Sequence, residues 1–309
     1  MKRTHLPLIS IAMCLVIASA GKASTQRIEA TYNFVWKNML VSTAETTTEI
    51  NENSYKLHAE MRMRGLAKLF MGGGKTLFSA HGFMAPDGSL QPQEYRSSGK
   101  WKGKPYHESL SYDQSGNLTG LVKDWPIKWR EENRREPVPA ALQTGHDPAS
   151  LLVALIRQPL PIALHARDNE PFVFQVFDGD TVVSWSINCA ALPVLLKKSK
   201  HSKTFGEAHE CTLVQHLVAG QRILTAKQKA KEDKRLKKKH AVKSSRKRKA
   251  QYQYDGPLKV WMQPMGDSAY WIPVRALVPS KKGTVRVYLK DMAMAGIKQA
   301  GSTIGAMSR

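Results

Sequence analysis

Acidic residues are scarce in this chain. Its 309 residues hold 25 Asp and Glu against 47 Lys and Arg, a net charge of +22. Such an excess points to anionic partners and is silent about the fold. It also leaves little material for paired-carboxylate catalysis. No HExxH is present, so the helical zinc-protease pattern is absent, and no G-x-S-x-G marks a nucleophile elbow. His201, His209 and His216 lack the tight spacing of a ligand set. Gly74-Lys75-Thr76 resembles the end of a phosphate-binding loop. The Gly that such a loop needs five residues earlier is Leu69 instead, and a strand pattern rather than a helix follows. Ser97 and Lys100 in "SSGK" have no helix or second motif to make them a nucleophile and base. The sequence therefore assigns no catalytic residue, no metal ligand and no cofactor.

Long apolar runs are also missing, apart from one at the start. "MKRTHLPLISIAMCLVIASA" has a basic beginning at Lys2 and Arg3, an apolar stretch over 6–17 and a small-x-small site at Ala18-Ser19-Ala20. These are the parts of a secretory signal peptide over 1–20. Its apolar stretch is short of the ~20 residues that a membrane helix needs. The alternative is an uncleaved anchor. "IAMC" at Cys14 faintly resembles a lipidation site, but the apolar run continues past it. The expected compartment is the periplasm. Removal of the leader leaves two cysteines of three, Cys189 and Cys211, and an oxidising compartment favours one disulfide between them. Closing so short a loop stabilises by about 3 kcal/mol.

What the chain has in plenty is positive charge in one place. Lys227 to Lys249 carries thirteen Lys/Arg and two acids, a net +11 that is half of the whole. In an exported chain the available polyanions are membrane and lipopolysaccharide surfaces, not cellular nucleic acid. The run also lacks interleaved aromatics on which bases could stack; Tyr252 and Tyr254 only follow it. The candidate anionic-surface residues are Lys234, Arg235, Lys237, Lys238, Lys239, Arg246, Lys247, Arg248 and Lys249. The run reads as an insertion over 222–251, part helical up to Lys239 and disordered beyond.

The remainder alternates. Ile28, Ala30, Tyr32, Phe34 and Trp36 take every second place in one stretch, and Tyr55, Leu57, Ala59, Met61 and Met63 in another. Period two means a strand with one buried and one wet face. Weaker strands follow at Thr76–Phe83, Gln91–Ser97, Tyr106–Tyr112 and Leu118–Val122, with turns at Asn51-Glu52-Asn53, Pro86-Asp87-Gly88 and Asp113–Asn117. The Pro- and charge-rich stretch around 124–147 reads as loop, where two sheet halves could divide. A helix then starts at "DPASLLVALIR". Asp147 is its cap and Leu151, Leu152, Leu155 and Ile156 form its apolar stripe. Asp178-Gly179-Asp180 joins two further strands into a hairpin. Thr181, Val183, Trp185, Ile187 and Cys189 share one face there, as do Cys211, Leu213 and Leu217 in the strand beyond, so a cross-strand disulfide is geometrically plausible. Three last strands are expected over 258–262, 271–277 and 283–290. The expected fold is mainly β, a curved antiparallel meander or half-open barrel with one short helix. It forms a single domain over 21–290 and ends in a flexible tail over 291–309.

Several short motifs occur in a particular order. Tyr32 and Trp36 precede "GLAKLF" at Gly65 to Phe70. Then come Pro92 and Tyr95, "DPASL" at Asp147 to Leu151, "FDG" at Phe177 to Gly179, Cys211, Val260-Trp261, "IPVR" at Ile272 to Arg275 and "GTVRVYL" at Gly283 to Leu289. This order resembles the bacterial exported family called domain of unknown function 3108, over roughly Arg27 to Leu289. The resemblance implies a β-rich envelope protein and brings no catalytic residues with it. The leading reading is a non-catalytic binding or scaffold module for an apolar ligand or an envelope partner, whether protein, lipid or an anionic membrane or lipopolysaccharide surface. The alternatives are an envelope enzyme acting on glycan or lipid, and anionic-polymer binding through the basic run. An outer-membrane barrel fits poorly, because the strand faces carry too many Lys, Glu and Arg.

Overall fold

The computed structural model describes residues 25–65, 74–85, 89–157, 172–202, 204–226, 228–230, 233–234, 256–266, 268, 270–280 and 283–295. The expected leader, the "GLAKLF" segment after Gly65, the Pro86-Asp87-Gly88 turn, most of the basic run and the last fourteen residues lie outside these.

Strands β1 (Gln26–Trp36), β2 (Met39–Ile50), β3 (Ser54–Met63), β4 (Lys75–Met84), β5 (Leu90–Trp101), β6 (Lys104–Tyr112) and β7 (Leu118–Asp124) form one half of the sheet. The other half holds β8 (Phe172–Phe177), β9 (Val182–Cys189), β10 (Val194–Leu196), β11 (Gly206–Ala219), β12 (Leu258–Pro264), β13 (Trp271–Ser280) and β14 (Gly283–Ala295). All pair antiparallel in a single open sheet of order β7-β6-β5-β4-β3-β2-β1-β14-β13-β12-β11-β9-β8, with β10 added beside β11. The β1–β14 ladder runs from Arg27↔Ala295 to Trp36↔Val285 and joins the halves. The last strand thus continues through Ala295. The expected tail boundary at 291 is corrected, because those residues are held by pairing with β1.

Hairpin chemistry explains the meander. Lys37 and Asn38 both have positive φ, the mirror-image turn whose twist suits a two-residue hairpin. Asn51 Oδ1 accepts from the backbone N–H of Asn53 and Ser54, and Asp113 Oδ1 does the same for Ser115 and Asn117. Asp178 organises the β8–β9 turn in the same way, accepting from Asp180 and Thr181, while Gly179 takes the positive φ. Strand β2 has no counterpart in the sequence reading. Its inward positions are Ser42, Ala44, Thr48 and Ile50, so hydroxyls stand where an apolar alternation would have shown it. Ser42 Oγ donates to the Arg62 carbonyl, which makes its burial tolerable.

Between the halves lie α1 (Ile127–Glu132), a 3-10 turn at Ala140–Leu142 and α2 (Ser150–Arg157). The stretch read as loop is therefore partly helical, with α1 and the 3-10 turn preceding the expected helix. The sheet wraps α2, which packs against β3, β5 and β13. Its fully buried residues are Ser150, Val153, Ala154 and Ile156; Leu151, Leu152 and Leu155 are half-buried against the same core. The expected stripe of Leu151, Leu152, Leu155 and Ile156 thus packs on the core, and Val153 and Ala154 are buried beside it.

No backbone ladder joins the two edge strands, but side chains bring them together. Lys123 of β7 pairs with Asp180 of the β8–β9 turn at 2.5 Å and lies 3.7 Å from Glu108. The free edge of β8 is covered by the segment before α2. His146 N–H donates to the Gln175 carbonyl, and Phe177 N–H to that of His146. Covering an edge removes a site of unwanted strand pairing.

Candidate functional site

The interior contains a polar cluster with no solvent around it. Asp147 is fully buried. Its Oδ1 accepts from the backbone N–H of Ala149 and Ser150 at 2.8 and 2.9 Å, and its Oδ2 accepts from Ser150 Oγ. Since Ser150 Oγ gives its proton to Asp147, Tyr55 donates to Ser150 Oγ across their 2.7 Å contact. Burial pushes the Asp147 carboxyl up, against the lowering effect of those donors. Burial raises the Tyr55 and Tyr112 phenols as well, with the Asp147 charge second in each. Tyr112 Oη has no hydrogen-bond partner among the described residues. Ser150 is itself buried, and its described partners are Asp147 and Tyr55. The cluster caps and orients α2, as the sequence places Asp147, and ties the helix to β3.

A second cluster lines the seam. Trp125 Nε1 donates to Glu108 Oε2 at 2.9 Å, and burial pushes the Glu108 carboxyl up while Lys123 and Trp125 oppose that. Tyr106, Trp125 and Trp129 stack face to face with centroids 3.9 and 4.0 Å apart. None of this network was legible in the sequence, since its members come from β6, β7, α1 and the β8–β9 turn.

Cys189 and Cys211 are joined in a disulfide, directly opposite one another in the β9–β11 register. Alternation on both strands put them on one face, which is why the pairing was visible. On the other face of the same strands Ser186, Asn188, Ala190, Glu210, Thr212, Val214 and His216 line an open groove of about 580 Å³. Lys259 pairs with Glu210 at 2.6 Å beside it. Nδ1 of His209 lies 3.1 Å from the Ala190 carbonyl, and the His201 ring lies against Tyr288. Among the described residues no group of three or more His, Cys, Asp or Glu could hold a metal ion. No described helix is long and apolar enough to cross a membrane.

Of the nine basic candidates only Lys234 is described, exposed and helical; Arg235, Lys237, Lys238, Lys239, Arg246, Lys247, Arg248 and Lys249 lie outside the described residues. The root of the insertion is well defined. Thr225 and Gln228 cap each other reciprocally, the capping-box arrangement that starts a helix. Arg222 and Gln228 both donate to the Glu132 carbonyl at the end of α1. Arg135 donates to the Gly220 carbonyl. The strands on either side pair with each other from His209↔Met262 to Leu213↔Leu258, so the insertion interrupts no ladder.

Residues 28–290 match the model of a family described as "Protein of unknown function (DUF3108)". No curated protein matches the chain.

Proposed function

The chain belongs to the DUF3108 family, and from that premise we propose that it is an exported, non-catalytic scaffold of the cell envelope that binds anionic surface through its basic insertion. Helix α2 and one contiguous apolar cluster pack on the inner side of the sheet. The observation that carries the reading is the root of the insertion. Thirteen Lys/Arg follow a helix start fixed against α1, beside strands that pair without them. Each Lys or Arg close to an anionic leaflet contributes about 1 kcal/mol at best, so binding is strong and salt-sensitive without a shaped pocket.

Deletion of 227–249 tests the reading. The thermal transition is expected to survive, because the β11–β12 ladder is independent of the segment. Sedimentation with phosphatidylglycerol vesicles at low salt is expected to fall at least tenfold, while weak binding to phosphatidylcholine stays the same. Equal binding of parent and deletion to anionic vesicles overturns the reading.

A further inference from the structure

The disulfide closes a loop whose surface is unlike the rest of the molecule. Between Ala190 and Phe205 there is no Asp or Glu. Leu192 and Leu195 are 80% and 74% exposed, the highest values of any large apolar side chain among the described residues, and Phe205 is 55% exposed. Lys197, Lys198 and Lys200 are exposed beside them, with Lys198 Nζ 4.6 Å above the Phe205 ring.

The loop is fixed rather than free. Its base is the Cys189–Cys211 bond, and its short strand β10 pairs with β11. From there it crosses the outer face of the sheet. Asn33, Tyr288, Arg275 and Trp261 are successive cross-strand partners on β1, β14, β13 and β12, and so share that face. Asn33 Nδ2 donates to the His201 carbonyl at 3.2 Å, and Arg275 donates to that of Lys197 at 3.1 Å. Ser202 Oγ donates to the Leu289 carbonyl at 2.7 Å. Leu196 is buried while its neighbour Leu195 points out. The loop thus spends one leucine on the protein and presents the next to solvent.

We propose that this disulfide-bounded loop is a membrane-docking element that inserts Leu192, Leu195 and Phe205 into an anionic phospholipid leaflet while Lys197, Lys198 and Lys200 contact the headgroups. Apolar tips set beside three cations are complementary to such an interface, and the exposed Glu207, opposite Leu195 in the β10–β11 register, stands as the acid beside them. A pre-formed loop also loses little freedom on docking. The proposal rests on the anionic-surface reading but uses a different part of the chain. The loop and the insertion leave opposite ends of β11, fourteen residues long, or ~45 Å at the usual strand rise.

The two contacts respond differently to salt, which separates them. In the full chain, binding to phosphatidylglycerol/phosphatidylethanolamine vesicles is measured at low and high salt for the parent, for the 227–249 deletion and for L192E/L195E. Both leucines are exposed, so the substitutions are expected to leave the thermal transition in place. The double variant should lose at least tenfold in affinity, and the loss should persist at high salt, where the insertion is screened. K197Q/K198Q/K200Q keeps the apolar tip and should lose preference for anionic over phosphatidylcholine vesicles. Loss in the double variant with an unaffected deletion overturns the insertion reading and supports the loop. Parent-like binding by L192E/L195E at both salt concentrations overturns the loop proposal, whatever the deletion does.

Discussion

Strands β1–β7 follow one another through hairpins, each pairing with its neighbours in sequence, whereas β8–β14 depart from that order at several points. In the second half β10 stands beside the path, β9 pairs with β11 across it, and the β11–β12 connection carries the basic insertion. The disulfide, the outer-face groove and the loop with exposed leucines all belong to this half. The first half supplies mostly wall and core. Apart from the eleven residues between β3 and β4, the first half is joined by short turns that leave little spare chain for a surface device. Long connections between paired strands do leave it, and a covalent link then keeps the longest structured one in place.

The largest expected effect tests whether that link is a feature of the second half alone. Cys189→Ser with Cys211→Ser is expected to cost about 3 kcal/mol by the loop-closure argument. Chemical unfolding should still show one transition, since β1 and β14 are paired along their length. Two separated transitions would show that the halves are independent units and would break the single-sheet view. Retained stability in the double serine variant would show that the hydrogen bonds to Asn33, Arg275 and Leu289 suffice to hold the loop.

A smaller effect is expected where the two halves meet without a ladder. Lys123→Met removes the cation shared by Glu108 and Asp180 and leaves Glu108 buried without it, at a cost of about 1–3 kcal/mol. The pH dependence sharpens the test. Burial raises the Glu108 carboxyl in the folded state, so the group favours folding most when protonated. That contribution is present below the unfolded value of about 4.3 and fades as pH rises through the folded one. Wild type should therefore lose stability relative to Glu108→Gln as pH rises above about 4, read by denaturant midpoints across pH. A difference that stays flat with pH would remove Glu108 from the seam's electrostatics.

The smallest effects compare two buried tyrosines of the first half. Tyr55→Phe removes a donor to Ser150 and should destabilise by about 1 kcal/mol. Tyr112→Phe removes a hydroxyl that has no partner among the described residues and should be neutral or mildly stabilising, within about 1 kcal/mol. Equal losses from both would mean that Tyr112 contributes to the Asp147 cluster in the same way as Tyr55.

Much of the first half was legible because its signals are local. Tyr55 and Leu57 alternate with Lys56 and His58, and the buried face follows directly. Asn51 and Asp113 announced their turns with side chains that close on their own backbone. Strand β2 was missed because threonine and serine fill its inward face. Val35 was missed for a different reason. It lies on the face opposite Ile28 and Tyr32, yet it is only 2% exposed. Alternation assigns one wet face to such a strand and carries no information about chain that later covers it. "ALPVLLKKSKHSKTF" displays its leucines and lysines openly, but only the fold separates buried Leu196 from exposed Leu195.

The sequence by itself determined the elements: period-two strands, an Asp-capped helix, two cysteines on matching strand faces, and half of the net charge in one run. These depend on residues within a few positions of one another, where backbone geometry sets the pattern. Only the tertiary structure decided that β14 closes on β1, that Lys123 meets Asp180, and that Asp147 is sealed from water. It also decided that His201 reaches Asn33 across 168 positions of chain. Those contacts depend on how the whole sheet twists and curls around α2, which no local periodicity encodes.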